Sequence, residues 1–253
     1  MCFAFDASPP DLPDGVPRIA GGAGAELLEL ESADGTHFSA ALAESPEPQG
    51  RAVVILPDVR GLYPFYSELA ERFASAGHHA IAIDYFGRTA GLGPRDEEFE
   101  YMPHVQKTRP ETVQADIAAA LAALRERTGE QRASTVGFCF GGTQSLLAAT
   151  NAELGLDGVI GFYGSLSPER WGDMSPIHRA VDMRGPVLGL YGGADEGIPP
   201  DQVEALDRNL TAAGVEHEIV TYPGAPHSFF DRRYDEHAEA CADAWRRILD
   251  FLG

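Results

Sequence analysis

The sequence predicts an α/β fold, a mostly parallel, doubly wound sheet flanked by helices in a single domain over residues 1–253. Three observations carry this. Continuous apolar runs such as Ala52-Val53-Val54-Ile55-Leu56 have the pattern of strands covered on both faces. Segments of helical period alternate with these runs along the whole chain. One strand, Ser134-Thr135-Val136, runs directly into a helix through the small-residue turn Gly137-Phe138-Cys139-Phe140-Gly141-Gly142.

In chain order, residues 1–25 are rich in Pro, Gly and Asp and form an irregular arm. Leu27 to Leu30 and Phe38 to Leu42 flank Asp34-Gly35, the pattern of an antiparallel hairpin. The first buried strand ends at Pro57-Asp58-Val59-Arg60-Gly61 and is followed by a helix over 66–76, stopped by Gly77. A strand over 79–83 ends at Asp84-Tyr85-Phe86-Gly87-Arg88. Residues 89–110 show little periodicity and read as an excursion at the rim of the sheet. Val113, Ile117, Leu121 and Leu124 form one stripe of a helix over 111–128, closed by Gly129. After the glycine-rich turn and its helix come a strand over 158–163, a loop-rich segment over 164–184, a strand over 186–191, a helix over 200–213, a strand over 218–222 and a closing helix over 235–252.

Composition narrows the function classes. The net charge is −20, from 39 acidic against 19 basic residues, and Lys107 is the only lysine. Nucleic acid and anionic membranes, which need basic patches, are therefore not expected partners. A small molecule is the expected partner of a monomer or homodimer. There is no 18-residue apolar run and no basic, apolar start, so a cytoplasmic protein is expected. Cys2, Cys139 and Cys241 are too few and too scattered for a disulfide framework, and they make no metal-spaced cluster.

In open α/β sheets, active sites gather at the carboxyl ends of the strands. Those ends supply Asp58 and Val59, Arg88, Cys139, Tyr163, Asp195 and His227. Cys139 sits at the apex of the strand–turn–helix, where flanking glycines let neighbouring backbones pass; this is the nucleophile-elbow pattern with Cys in place of the more usual Ser. Asp195 lies in Gly192-Gly193-Ala194-Asp195, just after an apolar strand, and His227 in the loop after the last strand. Cys, Asp, His is the chain order that the α/β-hydrolase fold gives its nucleophile, acid and base. His227, oriented by Asp195, would take the thiol proton so that Cys139 attacks a carbonyl carbon. The backbone N–H groups of Phe140 and Val59 are the oxyanion donors. His78, His79, His178 and His237 lie away from such ends and read as surface or packing residues; His104 is a further residue for the pocket wall.

These motifs resemble the dienelactone hydrolase family. The resemblance runs from about Ala52 to Leu252 through Pro57-Asp58-Val59-Arg60-Gly61-Leu62, Asp84-Tyr85-Phe86-Gly87-Arg88, Gly137 to Gly142, Gly161-Phe162-Tyr163-Gly164, Gly192 to Asp195 and His227-Ser228-Phe229. It implies an α/β-hydrolase fold and a Cys-His-Asp hydrolase of lactones or activated esters, working without metal or organic cofactor. It further implies that Asp58, where the family usually has Glu, helps deprotonate Cys139, that Arg88 is one of two arginines clamping a substrate carboxylate, and that Tyr163 lines the pocket. The second clamp position, four residues after His227, holds Asp231, with Arg232 beside it. The alternatives are a general small-ester carboxylesterase without the anion clamp and a non-catalytic binding protein on the same fold.

Overall fold

The computed structural model of the protein describes residues 7–19, 24–230 and 235–253. Eight strands form one sheet in the order β1-β2-β4-β3-β5-β6-β7-β8. They are β1 Glu26–Glu31, β2 His37–Ala43, β3 Ala52–Leu56, β4 Ala80–Ile83, β5 Ala133–Phe138, β6 Gly158–Phe162, β7 Val187–Gly192 and β8 His217–Tyr222. The hairpin β1–β2 is antiparallel, and β2 joins β4 antiparallel. From β4 through β8 every pairing is parallel.

The central parallel strands β3, β4, β6 and β7 read as unbroken apolar runs because both faces are covered. Val53 and Ile55 of β3 join the core that contains Leu69 and Phe73, whereas Ala52, Val54 and Leu56 join a second core with Ile117 and Leu121. Successive side chains of a strand point to opposite faces, so one five-residue run serves both layers.

Nine helices occur among the described residues. The five long ones are α1 Pro64–Ser75, α4 Pro110–Thr128, α5 Phe140–Ala148, α8 Pro200–Ala213 and α9 Ala238–Leu252; α2 Gly87–Ala90, α3 Met102–Val105, α6 Pro168–Trp171 and α7 Pro176–Arg179 are single turns. Pro110 opens α4 with its φ already helical, and Gly129 closes it at φ 76°, a left-handed conformation that costs glycine little. Between those stops, Val113, Ile117, Leu121 and Leu124 are buried. Each contributes roughly 1.5–3 kcal/mol of burial, which makes the stripe rather than helix propensity the cause of this helix. α9 buries Ala244, Trp245, Ile248 and Leu252 in the same manner. The Trp245 indole N–H donates to the Pro10 carbonyl, tying the irregular arm to the core.

The expected strands and long helices are present, with ends shifted by one to three residues. α1 starts two residues before the predicted position, since Pro64 is accepted in a first turn, and α9 starts three residues after it. The 89–110 excursion is held down rather than loose. Arg95 donates through Nε and Nη2 to Asp84, both residues buried, and its guanidinium lies 4.5 Å from the centre of the Phe99 ring. The 164–184 segment contains α6, α7 and two 3-10 turns, each too short to show a period in sequence. Among the described residues no helix is long and apolar enough to cross a membrane.

Candidate active site

The turn between β5 and α5 is built by backbone contact. A Cβ on Gly137 would lie 2.0 Å from the Gly141 carbonyl oxygen, and a Cβ on Gly141 only 2.1 Å from that of Leu56. Only glycine permits this approach, which seats the first turn of α5 directly against the ends of β3 and β5. Cys139, at the junction, has φ 54° and ψ −111°. Such a conformation costs a non-glycine residue on the order of 1–3 kcal/mol and is held by its surroundings, here including the Cys139 N–H donating to the Phe162 carbonyl at 3.0 Å. Cys139 is half-buried rather than sealed in the core.

The acid and the base come from neighbouring loops clamped to each other. Gly193 N–H donates to the Tyr222 carbonyl at 2.8 Å, and Ala194 N–H to the Ala225 carbonyl at 2.9 Å. The loop after β7 is thereby fixed onto the loop after β8. The His227 Nδ1 and Asp195 Oδ2 atoms are 2.6 Å apart, and Asp195 Oδ1 accepts the Gly197 N–H at 2.9 Å. Both carboxylate oxygens are thus engaged, and the Asp195 side chain is 3% exposed. With Nδ1–H donated to Asp195, the imidazole leaves Nε2 as its accepting nitrogen.

Cys139 and His227 border one small cavity of about 160 Å³, together with Tyr163, Thr143, Ile198 and Trp171. The buried Tyr163 ring lies 4.9 Å from the His227 ring and 5.7 Å from Phe229, which fixes the imidazole from behind. Phe140 borders the same cavity. Neither the Phe140 nor the Val59 backbone N–H donates to an acceptor among the described residues. Val59 follows the β3 end against which Gly141 packs, so the two groups belong to one corner of the fold.

The other predicted residues are placed elsewhere. Asp58 is fully buried; its Oδ1 accepts the Arg60 backbone N–H at 2.8 Å, and its Oδ2 lies 3.1 Å from Arg60 Nη2. Burial pushes its carboxyl up from the ordinary value, and the Arg60 guanidinium opposes that shift. The Asp58 carboxylate, expected to help deprotonate Cys139, is thus engaged by its own turn through both oxygens. Arg88 is likewise committed away from the cavity. It donates to Asp116 at 2.7 and 2.8 Å, to Asp34 at 2.6 and 3.1 Å, and to Ser32 Oγ at 2.8 Å. Three acceptors fill the guanidinium that was expected to clamp a substrate. Asp231 and Arg232, the other clamp position, lie outside the described residues. His104 stacks on Phe99 with ring centres 5.1 Å apart and is not part of the cavity wall.

Trp171, Thr143, Ser165 and Ile198 border the cavity without having been singled out in sequence. Thr143 sits one helical turn after Cys139, and its hydroxyl donates to the Ser165 carbonyl at 3.0 Å, tying α5 to the following segment. Trp171 ends the short α6, which Ser167 caps by accepting the Arg170 N–H. Ser-Pro-Glu-Arg was the readable signal there, that of a helix start.

Comparison with known proteins agrees with this architecture. The model of the dienelactone hydrolase family matches residues 38–253. A Yersinia pestis protein named "Putative carboxymethylenebutenolidase" is 32% identical over 207 residues, covering 79% of this chain and 76% of its own. A Salmonella typhimurium protein of the same name is 34% identical over 214 residues, covering 79% and 76%. Among solved structures, a "Putative Dienelactone Hydrolase" from Klebsiella pneumoniae superposes with a TM-score of 0.76 at 29% identity, covering 90% of this chain and 98% of that one. With the α/β-hydrolase sheet, the glycine-packed turn and the family match over most of its length, this chain is a hydrolase of the dienelactone hydrolase family.

Proposed function

We propose that the protein hydrolyses a lactone or activated carboxylic ester, with Cys139 as nucleophile, His227 as base and Asp195 as the residue that orients it. One observation carries this reading. The half-buried Cys139, held at φ 54°, shares a cavity with a His227 whose Nδ1 is 2.6 Å from a buried carboxylate. His227 Nε2 takes the proton from the Cys139 thiol as Sγ bonds to the carbonyl carbon. The carbonyl oxygen gains the displaced electron pair and is held by the Phe140 and Val59 N–H groups, each worth on the order of 10²–10³ in rate. Collapse breaks the carbon–oxygen bond to the leaving group, which takes the proton back from His227. Water, deprotonated by the same nitrogen, then cleaves the thioester and regenerates the thiol. A thiolate is expelled more readily than an alkoxide, so a Cys nucleophile suits enol esters, lactones and thioesters rather than amides.

A second reading, an esterase of small esters without an Arg88 clamp, is favoured by the commitment of Arg88 to Asp116, Asp34 and Ser32. The two share the same chemistry and are separated by substrate. Turnover of p-nitrophenyl acetate and of an anionic dienelactone is compared in the natural protein and in Cys139→Ala. Hydrolysis that is lost in Cys139→Ala is expected; hydrolysis that persists there, or a natural protein inert to both, removes the mechanism.

A further inference from the structure

The cavity beside Cys139 is small, and it has a neighbour. At about 160 Å³ it accommodates the reacting carboxyl group and a few further atoms. Across Phe140 and Trp171 lies a second cleft of about 550 Å³, with Phe140, Arg170 and Trp171 common to both walls. Met102, Trp171 and Met174 give it apolar walls, and Arg109, Arg170 and Glu111 give it charged ones.

Three features indicate what it holds. First, the guanidinium groups of Arg109 and Arg170 have no carboxylate within ion-pair distance among the described residues, while Arg60, Arg88 and Arg95 are all paired. Two cations face one carboxylate, Glu111, so the lining is net positive in a chain of charge −20. Second, the Trp171 indole N–H is enclosed and meets no acceptor among the described residues. The ring is positioned by contacts of shape and charge alone, with Phe140 at 5.9 Å and the Arg170 guanidinium at 5.4 Å. An enclosed donor without an acceptor is costly, so a ligand oxygen that reaches it is favoured. Third, direction is set by the chemistry. The leaving group must stand beside His227, which borders the small cavity and not the larger cleft, so the acyl arm extends the other way, past Phe140.

We propose that this cleft is the acyl-arm subsite and that the preferred substrate is an ester or lactone whose acyl chain ends in a carboxylate, met by Arg109 and Arg170 beyond the Trp171 ring. The proposal rests on the Cys139 reading above. It moves anion recognition from Arg88 to Arg109, at the start of α4, and Arg170, in the segment between β6 and β7, and it gives Trp171 the part of a partition whose N–H is completed by substrate.

The test compares p-nitrophenyl hydrogen adipate with p-nitrophenyl hexanoate, acyl chains of equal length that differ in the terminal carboxylate. The natural protein is expected to favour the adipate ester by about tenfold in kcat/KM at low salt, the scale of a charge-assisted contact. That preference should fade at 1 M NaCl as the exposed arginines are screened. The double variant Arg109→Gln/Arg170→Gln should bring the ratio near one through KM rather than kcat, and Trp171→Phe, which keeps a ring and removes the donor, should lower it in part. Arg208→Gln, on the exposed face of α8, should leave the ratio alone. An equal ratio in the natural protein and the double variant overturns the proposal. Failure of the catalytic reading is seen separately: calorimetric binding of monomethyl adipate to Cys139→Ala tests the cleft without turnover. Binding weakened about tenfold by the two arginine substitutions supports the subsite, and binding insensitive to them, or none, refutes it.

Discussion

Gly141→Ala probes whether the oxyanion corner depends on glycine packing. A Cβ at this position would meet the Leu56 carbonyl oxygen at 2.1 Å and the Pro57 carbonyl oxygen at 2.3 Å, both backbone atoms that no rotamer change can move. An ordinary carbon–oxygen contact is roughly 3.2 Å or more, so the start of α5 and the end of β3 must separate by about 1 Å. Overpacking of this kind costs typically 1–3 kcal/mol, and here strand β3 lies in the middle of the sheet and cannot shift alone. The same displacement moves the Phe140 N–H away from the Val59 N–H, and misplacement by about 1 Å costs on the order of 10²-fold in rate. Urea unfolding and kcat on an activated ester measure the two effects on one sample. Gly93→Ala is the control, since its Cβ would come no nearer than 3.7 Å to any atom, the far end of Arg95. A Gly141→Ala protein with stability and kcat within error of the control would refute the packing argument.

Asp195→Asn should lower kcat by roughly 10²–10⁴-fold with KM little changed, because the amide no longer fixes the His227 tautomer; a loss under threefold in stopped-flow turnover would remove Asp195 from the site. Arg88→Met should cost about 3–5 kcal/mol in urea unfolding by stranding the buried Asp116, while leaving the ratio of carboxylated to neutral substrates unaltered. Burial pushes the Asp116 carboxyl up from 3.8 to about 6, against the pull of Arg88. The folded chain therefore holds this proton more tightly than the unfolded one, so the stability it contributes is complete below about pH 3.8 and is lost as pH rises through about 6, by about 3 kcal/mol at most. Asp116→Asn should flatten that part of the stability–pH curve, read from urea midpoints at pH 4, 5, 6 and 7. Asp58→Asn keeps an acceptor for the Arg60 N–H and should retain most activity, whereas Asp58→Ala loses the turn and strands Arg60; equal loss of kcat in both, at unchanged stability, would instead make Asp58 a proton acceptor for Cys139.

The central strands were legible because a parallel sheet covered on both faces favours an unbroken apolar run, as in Ala52–Leu56. Cys139, Asp195 and His227 were legible because each occupies a strand end that the topology delivers to one rim. What stayed hidden was side-chain direction. Arg88 occupies such an end too, but its partner Asp116 sits beside Ile117 on α4, 28 residues away, and no local pattern marks that meeting. Asp58 likewise closes its own turn onto the Arg60 N–H and guanidinium, an engagement that the resemblance did not imply. Trp171 and Arg170 lie in a segment of single turns, where the period that identifies a helix face has no room to repeat.

The arrangement of arginines follows from a common electrostatic constraint. In a chain of charge −20 an anionic substrate meets an unfavourable field, and a guanidinium helps only where its charge is not already spent. Arg60 with Asp58, Arg88 with Asp116 and Arg95 with Asp84 are buried pairs in which each carboxylate is fully enclosed. Their removal from water is offset by mutual attraction, and what they accomplish is to pin the loop after β3, the end of β4 and the excursion that follows it. A paired, enclosed charge presents almost no net field to an approaching anion. Arg109 and Arg170 are exposed and have no carboxylate partner among the described residues, so they keep their hydration, add little to stability and retain a field at the mouth of the cleft. The same residue type thus divides between two tasks according to burial: enclosed arginines fix the loops that carry the site, and open ones are left to select what enters it.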